Sequence, residues 1–297
     1  MSATTGAPAD LDLRLARVAG VMLDVDGCLI LSSQPAGSDG RVLPGAVEAV
    51  HDLQAMGCRT LVFTNASGRP PAQIAESLAE LDFPFGPEDV MTPSVVGAHV
   101  VRERYGEAPV LAFGGSGVVD VLRDAGVNVV ESHEPEAARR AEVVLIGWDV
   151  TFDQPKLQIA AEALWRGVPM LITSDAPFFA TAGGRSAGLS GFIANGLSYV
   201  TGQPYEVLGK PSAAAVDVVA QRLGVPGSQT LVAGDDLTLE VAMANAAGAV
   251  GVLVTTGTHK REDIERVGEE CRPDLVVDSL SEVVDLLRSA RTGVAAT

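Results

Sequence analysis

Two aspartates one residue apart are the strongest candidates for chemistry in this sequence. Asp24 and Asp26 follow an apolar run at 21–23 and precede Gly27, a residue that lets the backbone turn away sharply. Alternate side chains of a strand point the same way, so both carboxylates would face the crevice at the carboxyl end of a parallel sheet. Because the two charges repel, a divalent cation with oxygen ligands would stabilise the pair. An ordinary acidic turn explains the same residues about as well.

A second acidic cluster follows the apolar run at 230–233. It contains Asp235, Asp236 and, one turn further on, Glu240. Acidic residues are favoured at the N-terminus of a helix, which accounts for Asp236 and Glu240 without any chemistry. That explanation suits Asp235 less well, because Asp235 would end a buried strand. The cluster therefore supplies further candidate ligands for a cation.

Three more residues are candidates for binding an anion. Thr64 and Asn65 end the run at 61–63 and offer a hydroxyl and an amide to phosphate oxygens, although a polar turn or a helix cap is the simpler interpretation. Lys210 lies between a glycine and a proline, just before a predicted helix. It would neutralise a phosphoryl group or the carboxylates, whereas the usual place of a lysine is the surface.

Other motifs carry less information. The glycine-rich segment 114–117 lacks the ending of a Walker loop and the spacing of a dinucleotide-binding loop, and is interpreted as a turn before a helix. Phe178 and Phe179 are predicted to be core residues, with the lining of a substrate pocket as the alternative. The four histidines show no metal-binding spacing and receive no role: His51, His99, His133 and His259.

Apolar runs alternate with amphipathic segments along the whole chain. The runs are continuous rather than alternating, as in strands that are covered on both faces. This order predicts an α/β fold with parallel sheets and right-handed crossovers. Strands are predicted at 21–25, 60–64, 110–113, 143–147, 169–173, 230–233, 251–255 and 275–277. Helices are predicted at 45–56, 71–81, 156–166, 213–223 and 280–288.

The composition narrows the classes of function. A length of 297 residues with 47% hydrophobic residues is enough for two domains with buried cores. The net charge of −17 argues against broad binding to nucleic acid. Three widely spaced cysteines show neither a disulfide framework nor a zinc site. We expect a cytoplasmic protein, because neither a signal peptide nor a segment long enough to span a membrane is evident.

The order of these motifs resembles that of the haloacid-dehalogenase-like superfamily of phosphohydrolases. The shared pattern is an Asp-Val-Asp-Gly after the first strand, Thr64-Asn65 after the second, then Lys210-Pro211 and Gly234-Asp235-Asp236. The long insertion and the string at 207–212 resemble subfamily IIA, which contains nitrophenylphosphatase, phosphoglycolate phosphatase and ribonucleotide monophosphatase-like enzymes. The resemblance extends from about residue 18 to about residue 287.

The resemblance implies an organisation into domains. A flexible tail at 1–10 would precede a Rossmann-like, three-layer catalytic core formed by 11–91 and 205–297. An α/β cap domain at 92–204 would cover the site, set the choice of substrate, and open and close during turnover. A homodimer formed through the cap is plausible on the same ground.

The resemblance also implies roles for the candidate residues. Asp24 would be the nucleophile, and Asp26 would protonate the leaving oxygen and then activate water. Thr64 and Lys210, with Asn65 beside them, would bind the phosphoryl group. Mg²⁺ would be held by Asp24, by Asp235 and by the main-chain carbonyl of Asp26. Asp236 and Glu240 would lie close enough to contact water on that metal.

The sequence departs from the subfamily pattern at three places. Glu240 stands where an aspartate is usual, Ala66 stands where a second asparagine is common, and Asp175 ends an altered segment of the cap. Whether Glu240 and Asp175 contribute to the metal or substrate site is left open. The last two departures concern specificity more than the chemical step.

The predicted function is that of a Mg²⁺-dependent phosphatase acting on a small phosphate monoester. Asp26 favours phosphate esters over haloacids, because an alkoxide leaving group needs a proton and a halide does not. Sugar, glycerol, glycolate, pyridoxal and nucleotide phosphates all remain candidate substrates. A phosphotransferase or mutase with the same chemistry, and a non-catalytic binding protein on this fold, are the alternatives.

Overall fold

The computed structural model describes residues 8–33, 37 and 39–295, and these contain two parallel sheets, one of six strands and one of five. The strands are β1 Gly20–Leu23, β2 Ile30–Leu31, β3 Arg41–Val42, β4 Arg59–Phe63, β5 Val90–Met91, β6 Val110–Phe113, β7 Val129–Glu131, β8 Val143–Ile146, β9 Met170–Ile172, β10 Phe178–Thr181, β11 Gly184–Ala187, β12 Tyr205–Val207, β13 Thr230–Gly234, β14 Val250–Val254 and β15 Leu275–Val277.

Helices cover both faces of each sheet. They are α1 Pro8–Ala16, α2 Ala46–Ala55, α3 Pro71–Ala79, α4 Pro93–Arg104, α5 Ser116–Asp124, α6 Ala137–Arg140, α7 Gln154–Leu164, α8 Leu189–Thr201, α9 Ala213–Leu223, α10 Ala242–Ala247 and α11 Leu280–Ala295. A short π-helix, Leu237–Val241, leads into α10.

The larger sheet has the strand order β15-β14-β13-β1-β4-β5, with every neighbouring pair parallel. Strand β1 lies at its centre and is buried throughout. Its side chains alternate between two cores. Val21 and Leu23 pack with residues of α2 and α11, and Met22 packs with residues of α9 on the other face. The predicted three-layer α/β arrangement is confirmed.

The smaller sheet has the order β12-β9-β8-β6-β7 and is also parallel. Helices α7 and α8 supply the core on one face of it, and α4 and α5 the core on the other. An antiparallel hairpin, β10–β11, is inserted between β9 and α8. Strand β12 falls in the range 205–297 that the sequence assigned to the catalytic core, but it pairs with β9 of the smaller sheet.

All eight strands predicted from the apolar runs are present, with ends that differ by at most two residues. The helix predicted at 213–223 is α9 itself, and the last helix extends seven residues further than predicted. The strands that were not predicted have two to four residues, which is too short for a pattern to be visible. Residues 1–7 of the predicted tail lie outside the described residues, and α1 begins at Pro8. No described helix is both long and apolar enough to cross a bilayer.

Candidate active site

Three neighbouring strands of the larger sheet end at the same place. Leu23 of β1 lies in register between Val62 of β4 and Ala233 of β13. The residues that follow these strands therefore lie level with one another at the carboxyl edge, as expected for parallel strands. Their side chains line one small cavity of about 40 Å³. It is lined by Asp24, Asp26, Thr64, Asn65, Phe178, Phe179, Lys210, Asp235, Asp236, Leu239, Glu240 and Thr258.

The cavity includes every residue that the sequence singled out as catalytic, phosphate-binding or metal-binding. Asp26 accepts hydrogen bonds from the hydroxyls of Ser32 (3.3 Å) and Thr64 (3.4 Å). Gly27, with φ of 92°, lies so close to Asp235 that a Cβ would collide with its carboxylate. The glycine is required both for the turn and for the approach of the second acidic cluster.

Lys210 is the cation at the centre of the site, and only 1% of its surface is exposed. Its Nζ donates hydrogen bonds to Asp24 Oδ1 (2.5 Å) and to the main-chain oxygen of Phe63 (2.6 Å). The same Nζ forms an ion pair with Glu240 Oε1 (2.6 Å). An ammonium group has three N–H donors, so all three are used. Burial alone would lower the pKa of Lys210, but Asp24 and Glu240 outweigh it and hold that pKa above its usual value. The surface position that is usual for lysines does not apply here.

Asn65 holds the main chain of the same lysine. Its Oδ1 accepts from the Lys210 N–H (2.9 Å), and its Nδ2 donates to the Lys210 carbonyl (3.1 Å). These two bonds fix the backbone from which the ammonium group extends. The hydrogen bonds of Asn65 are thus directed at Lys210, and its assignment as a phosphate ligand stays a prediction.

The second acidic cluster divides into three different environments. Asp235 accepts a hydrogen bond from the Thr258 N–H (2.5 Å). Asp236 caps the π-helix by accepting from the Thr238 N–H (2.7 Å), as the helix-start interpretation predicts. Glu240 is buried, accepts from the Asp236 N–H (3.0 Å) with one oxygen and pairs with Lys210 through the other. Glu240 therefore positions the lysine directly, a role that was not predicted.

Burial raises the pKa values of three carboxyl groups in the site, because it disfavours their charged forms. It raises the pKa of Asp24 to about 7, with Asp235 and Asp26 adding to the rise and Lys210 opposing it. It raises the pKa of Asp235 to about 7, with Glu240 adding to the rise. It raises the pKa of Glu240 to about 8 despite the contact with Lys210. Three buried carboxyl groups share one ammonium group, and a further cation would relieve the imbalance.

The donor set fits a hard divalent cation. Carboxylate and carbonyl oxygens are the ligands that Mg²⁺ prefers, and the surplus of negative charge gives such an ion a strong attraction. Within residues 8–33, 37 and 39–295, no three acidic, cysteine or histidine side chains are gathered as a ready-made metal cage. The set implied by the resemblance does not require one, because its third ligand is the main-chain carbonyl of Asp26.

Two lining residues, Leu239 and Thr258, were not predicted as part of the site, and two others were predicted there only as the alternative. Phe178 and Phe179 were assigned to the core, with the lining of a substrate pocket as the alternative, and both are half-buried and line the cavity. Their strand is too short to show a pattern, so the sequence did not decide between the two interpretations. Leu239 and Thr258 complete the set. Thr258 lies just beyond β14, so its place after a strand end was a usable signal. Asp175 is exposed and does not line the cavity.

Comparison with known proteins assigns the chain to a family. A family model described as haloacid dehalogenase-like hydrolase matches residues 21–128, and a second, HAD-hydrolase-like, matches residues 207–283. Bovine chronophin is 28% identical over 282 residues, which cover 91% of this chain and 93% of chronophin. The crystal structure of 4-nitrophenylphosphatase from Thermotoga maritima has a TM-score of 0.80 at 26% identity and covers 92% of this chain and 98% of that one.

A third relative was crystallised with a metal ion. Glycerol phosphate phosphatase from Mycobacterium tuberculosis, in complex with magnesium, has a TM-score of 0.78 at 26% identity, covering 91% of this chain and 77% of that one. The chain belongs to the haloacid dehalogenase-like hydrolases. Within them it falls into subfamily IIA, the group of nitrophenylphosphatase-like phosphatases, as the order of its motifs predicted.

Proposed function

We propose that this chain hydrolyses small phosphate monoesters in two displacements at Asp24, with Mg²⁺ as the resident cation. The observation that carries the proposal is the contact between the Asp24 carboxylate and the buried ammonium group of Lys210, beside Asp235 in one cavity. Asp24 and Asp235, with the Asp26 carbonyl, would hold the cation. When bound, the cation would neutralise the phosphoryl oxygens and allow an anionic nucleophile to approach an anionic substrate.

In the first displacement, an Asp24 oxygen forms a bond to phosphorus as the bond from phosphorus to the leaving oxygen breaks. Asp26 gives its proton to that oxygen, which departs as an alcohol or phenol. In the second, water attacks the aspartyl phosphate and gives a proton to Asp26, the bond from phosphorus to Asp24 breaks, and inorganic phosphate leaves. Each displacement then has a better nucleophile or leaving group than direct hydrolysis would have.

Lys210 must change partners for this reaction. Its three donors are already used by Asp24, Glu240 and the Phe63 carbonyl. The bond to Asp24 is the one to be exchanged, because the carboxylate turns to phosphorus and the cation. Glu240 and the carbonyl then keep the ammonium group in place, next to the equatorial oxygens of the phosphoryl group.

The proposal is tested by measuring phosphate release over a panel of sugar, glycerol, glycolate, pyridoxal and nucleotide phosphates. We expect release with Mg²⁺, loss of release with a chelator, and recovery when Mg²⁺ is restored. If a chelator left the activity unchanged, the reaction would not require a divalent cation, and that part of the proposal would be wrong. Transfer of the phosphoryl group to an added alcohol, in place of release, would favour a phosphotransferase.

The raised pKa values predict that Mg²⁺ stabilises the protein more at high pH. In the metal-free protein, burial raises the pKa values of Asp24 and Asp235 to about 7, well above the ordinary value of an aspartate, about 3.9. Their contribution to stability is therefore complete below about pH 4 and is lost as the pH rises through about 7. Mg²⁺ requires the charged carboxylates, so the rise in Tm on adding millimolar Mg²⁺ should be larger at about pH 8 than at about pH 5.

Two variants sharpen this measurement. Asp235→Asn should remove most of the pH-dependent rise in Tm, because one carboxylate ligand is lost. Asp175→Asn, at an exposed position outside the cavity, should keep it. A rise in Tm that is equal at both pH values in the unmodified protein would contradict the assigned ligands.

The hairpin β10–β11 is expected to respond to occupation of the site. It contacts the catalytic region through a hydrogen bond from the Ala182 N–H to the Ser32 carbonyl (2.7 Å). Adding Mg²⁺ with vanadate, a phosphoryl mimic, should slow hydrogen exchange in peptides covering 178–187, because a closed hairpin protects its amides. Peptides from α7 serve as the control and should not change. Unaltered exchange at 178–187 would exclude the hairpin as a lid.

A further inference from the structure

Three buried hydroxyl groups connect the loop after β4 with the smaller sheet. The Ser67 hydroxyl accepts a hydrogen bond from the Trp148 N–H (3.1 Å) and donates one to Thr173 Oγ1 (3.0 Å). The Thr173 hydroxyl donates in turn to Ser190 Oγ (3.0 Å). None of the three hydroxyl residues is more than 3% exposed. Because a buried hydroxyl that loses its partner is costly, this chain of bonds holds the loop against the smaller sheet.

The main chain of Thr173 contacts a second segment of the site. Its carbonyl accepts a hydrogen bond from the N–H of Gly209 (3.0 Å), the residue that precedes Lys210. A Cβ on Gly209 would lie 2.6 Å from this carbonyl and 2.6 Å from Asn65 Oδ1. The absence of a side chain therefore lets the segment that carries Lys210 approach Thr173 and Asn65 at the same time.

Thr173 thus contacts both segments that determine where the Lys210 ammonium group lies. Its hydroxyl is bonded to Ser67, two residues after Asn65, and Asn65 in turn bonds the Lys210 main chain on both sides. Its carbonyl is bonded to Gly209. A donor that stabilises a transition state must be held to within a fraction of an ångström, so both segments have to keep their positions.

Helix α5 packs against the same loop. A Cβ on Gly117, in the first turn of this helix, would lie 2.4 to 2.6 Å from main-chain atoms of Ser67, Gly68 and Arg69. The glycine-rich segment 114–117 therefore lets α5 contact the loop backbone directly. Such a contact blocks movement of the loop towards α5 but does not oppose movement away from it. The hydrogen bond between Ser67 and Thr173 opposes that second movement.

We propose that Thr173 is a positioning residue for catalysis, whose hydroxyl holds the loop at 64–67, and through Asn65 the Lys210 ammonium group, in the place that the transition state requires. Thr173 does not line the cavity and touches no reacting atom. Its effect is therefore exerted through Ser67 and Asn65. The inference rests on the proposed phosphatase activity and makes the smaller sheet a support for the catalytic groups of the larger one.

Two variants of Thr173 separate the hydroxyl from the methyl group. Thr173→Val keeps the shape and the methyl group but loses the hydroxyl, whereas Thr173→Ser keeps the hydroxyl and loses the methyl group. With 4-nitrophenyl phosphate and saturating Mg²⁺, we expect Thr173→Val to lower kcat by about tenfold and to change KM by less than about threefold, because the displaced donor acts mainly in the transition state. Thr173→Ser should stay within about twofold of the unmodified kcat. Full kcat in Thr173→Val, or an equal loss in both variants, would overturn the inference.

Ser67→Ala breaks the same hydrogen bond from the side of the loop. It should lower kcat by a similar factor, and it can be measured even if Thr173→Val does not fold. Because both changes break one bond, the double variant should lose no more than about twice what the more affected single variant loses. Losses that multiply in the double variant would mean that the two hydroxyls act independently, which would overturn the inference.

Thr230→Val is the matched control for a loss of stability alone. Thr230 is also buried, and its hydroxyl donates to the Pro226 carbonyl (3.1 Å) at the start of β13, the end of that strand opposite Asp235. This variant should lower Tm as Thr173→Val does but keep kcat within about twofold. An equal loss of kcat in both would overturn the inference and leave the phosphatase proposal intact. If the unmodified protein released phosphate from no ester of the panel, the proposed function and this inference would both be wrong.

Discussion

Asp24→Asn is expected to lower phosphate release by a factor on the order of 10⁴ or more, since removal of a catalytic nucleophile has effects of this size. The amide is nearly isosteric with the carboxylate but cannot attack phosphorus, and it supplies a weaker ligand to a cation. Phosphate release should be measured with Mg²⁺ well above saturation for the variant, so that weaker metal binding does not account for the loss.

The fold should survive the same substitution. Asp24 is buried, and burial together with Asp235 and Asp26 outweighs the contact with Lys210, so that the pKa of Asp24 is raised to about 7; a neutral amide therefore removes a charge that the folded protein disfavours at neutral pH. We expect a Tm in the absence of metal equal to or above that of the unmodified protein. Covalent trapping separates this mechanism from direct attack by water: acid quenching during turnover should leave phosphate on Asp24 in the unmodified protein and none in the variant. Undiminished turnover in Asp24→Asn would show that Asp24 is not the nucleophile.

Lys210→Met is expected to reduce activity by a factor on the order of 10² to 10³ and also to destabilise the fold. The loss of activity follows from removing a preorganised positive donor next to the developing charge. The loss of stability, about 3 to 5 kcal/mol, follows from leaving the buried carboxylates of Asp24 and Glu240 without their partner. Urea unfolding in the absence of metal measures the second effect, and it should be smaller at about pH 5, where the carboxyl groups are protonated.

A double variant separates the two effects of this lysine. Lys210→Met with Glu240→Gln removes one of the uncompensated charges and should recover part of the stability but none of the activity. Recovery of both would mean that Lys210 acts only by supporting the fold. Arg104 and Glu206 form an exposed ion pair (2.7 Å) on the surface, and Arg104→Met is the control, with an expected change in stability within about 1 kcal/mol.

The sequence was sufficient for the fold because the main strands are long apolar runs. Strands β1, β8 and β13 are runs of four or five consecutive buried residues. A short, continuous apolar run that is followed by turn residues indicates a buried strand rather than a helix. Strands of two or three residues, such as β5 and β12, form no such run. Their positions depend on neighbouring strands that are distant in sequence.

The sequence predicted which acidic and polar residues line the cavity, but it did not predict how their side chains pair with one another. Carboxyl ends of neighbouring parallel strands must meet, so the positions of Asp24, Thr64 and Asp235 follow from the strand order. The order of strands does not state how deeply a side chain is buried. Lys210 was therefore predicted as a site residue with the surface as the alternative, its complete burial was not predicted, and neither was its pairing with Glu240. Both depend on how the π-helix and the Gly209–Pro211 segment pack together.

The central position of β1 has a consequence for synthesis on the ribosome. Its neighbour β4 follows within about 40 residues, but its other neighbour β13 begins at Thr230, after the whole smaller sheet has been made. Until then, one edge of an entirely apolar strand has no partner. Such edges are sites of intermolecular association. The smaller sheet, by contrast, is made from one continuous stretch and can form first. A nascent chain stalled before Thr230 would therefore carry a complete smaller sheet and an open edge of the larger one, and it would lack Asp235 and Glu240 beside Asp24.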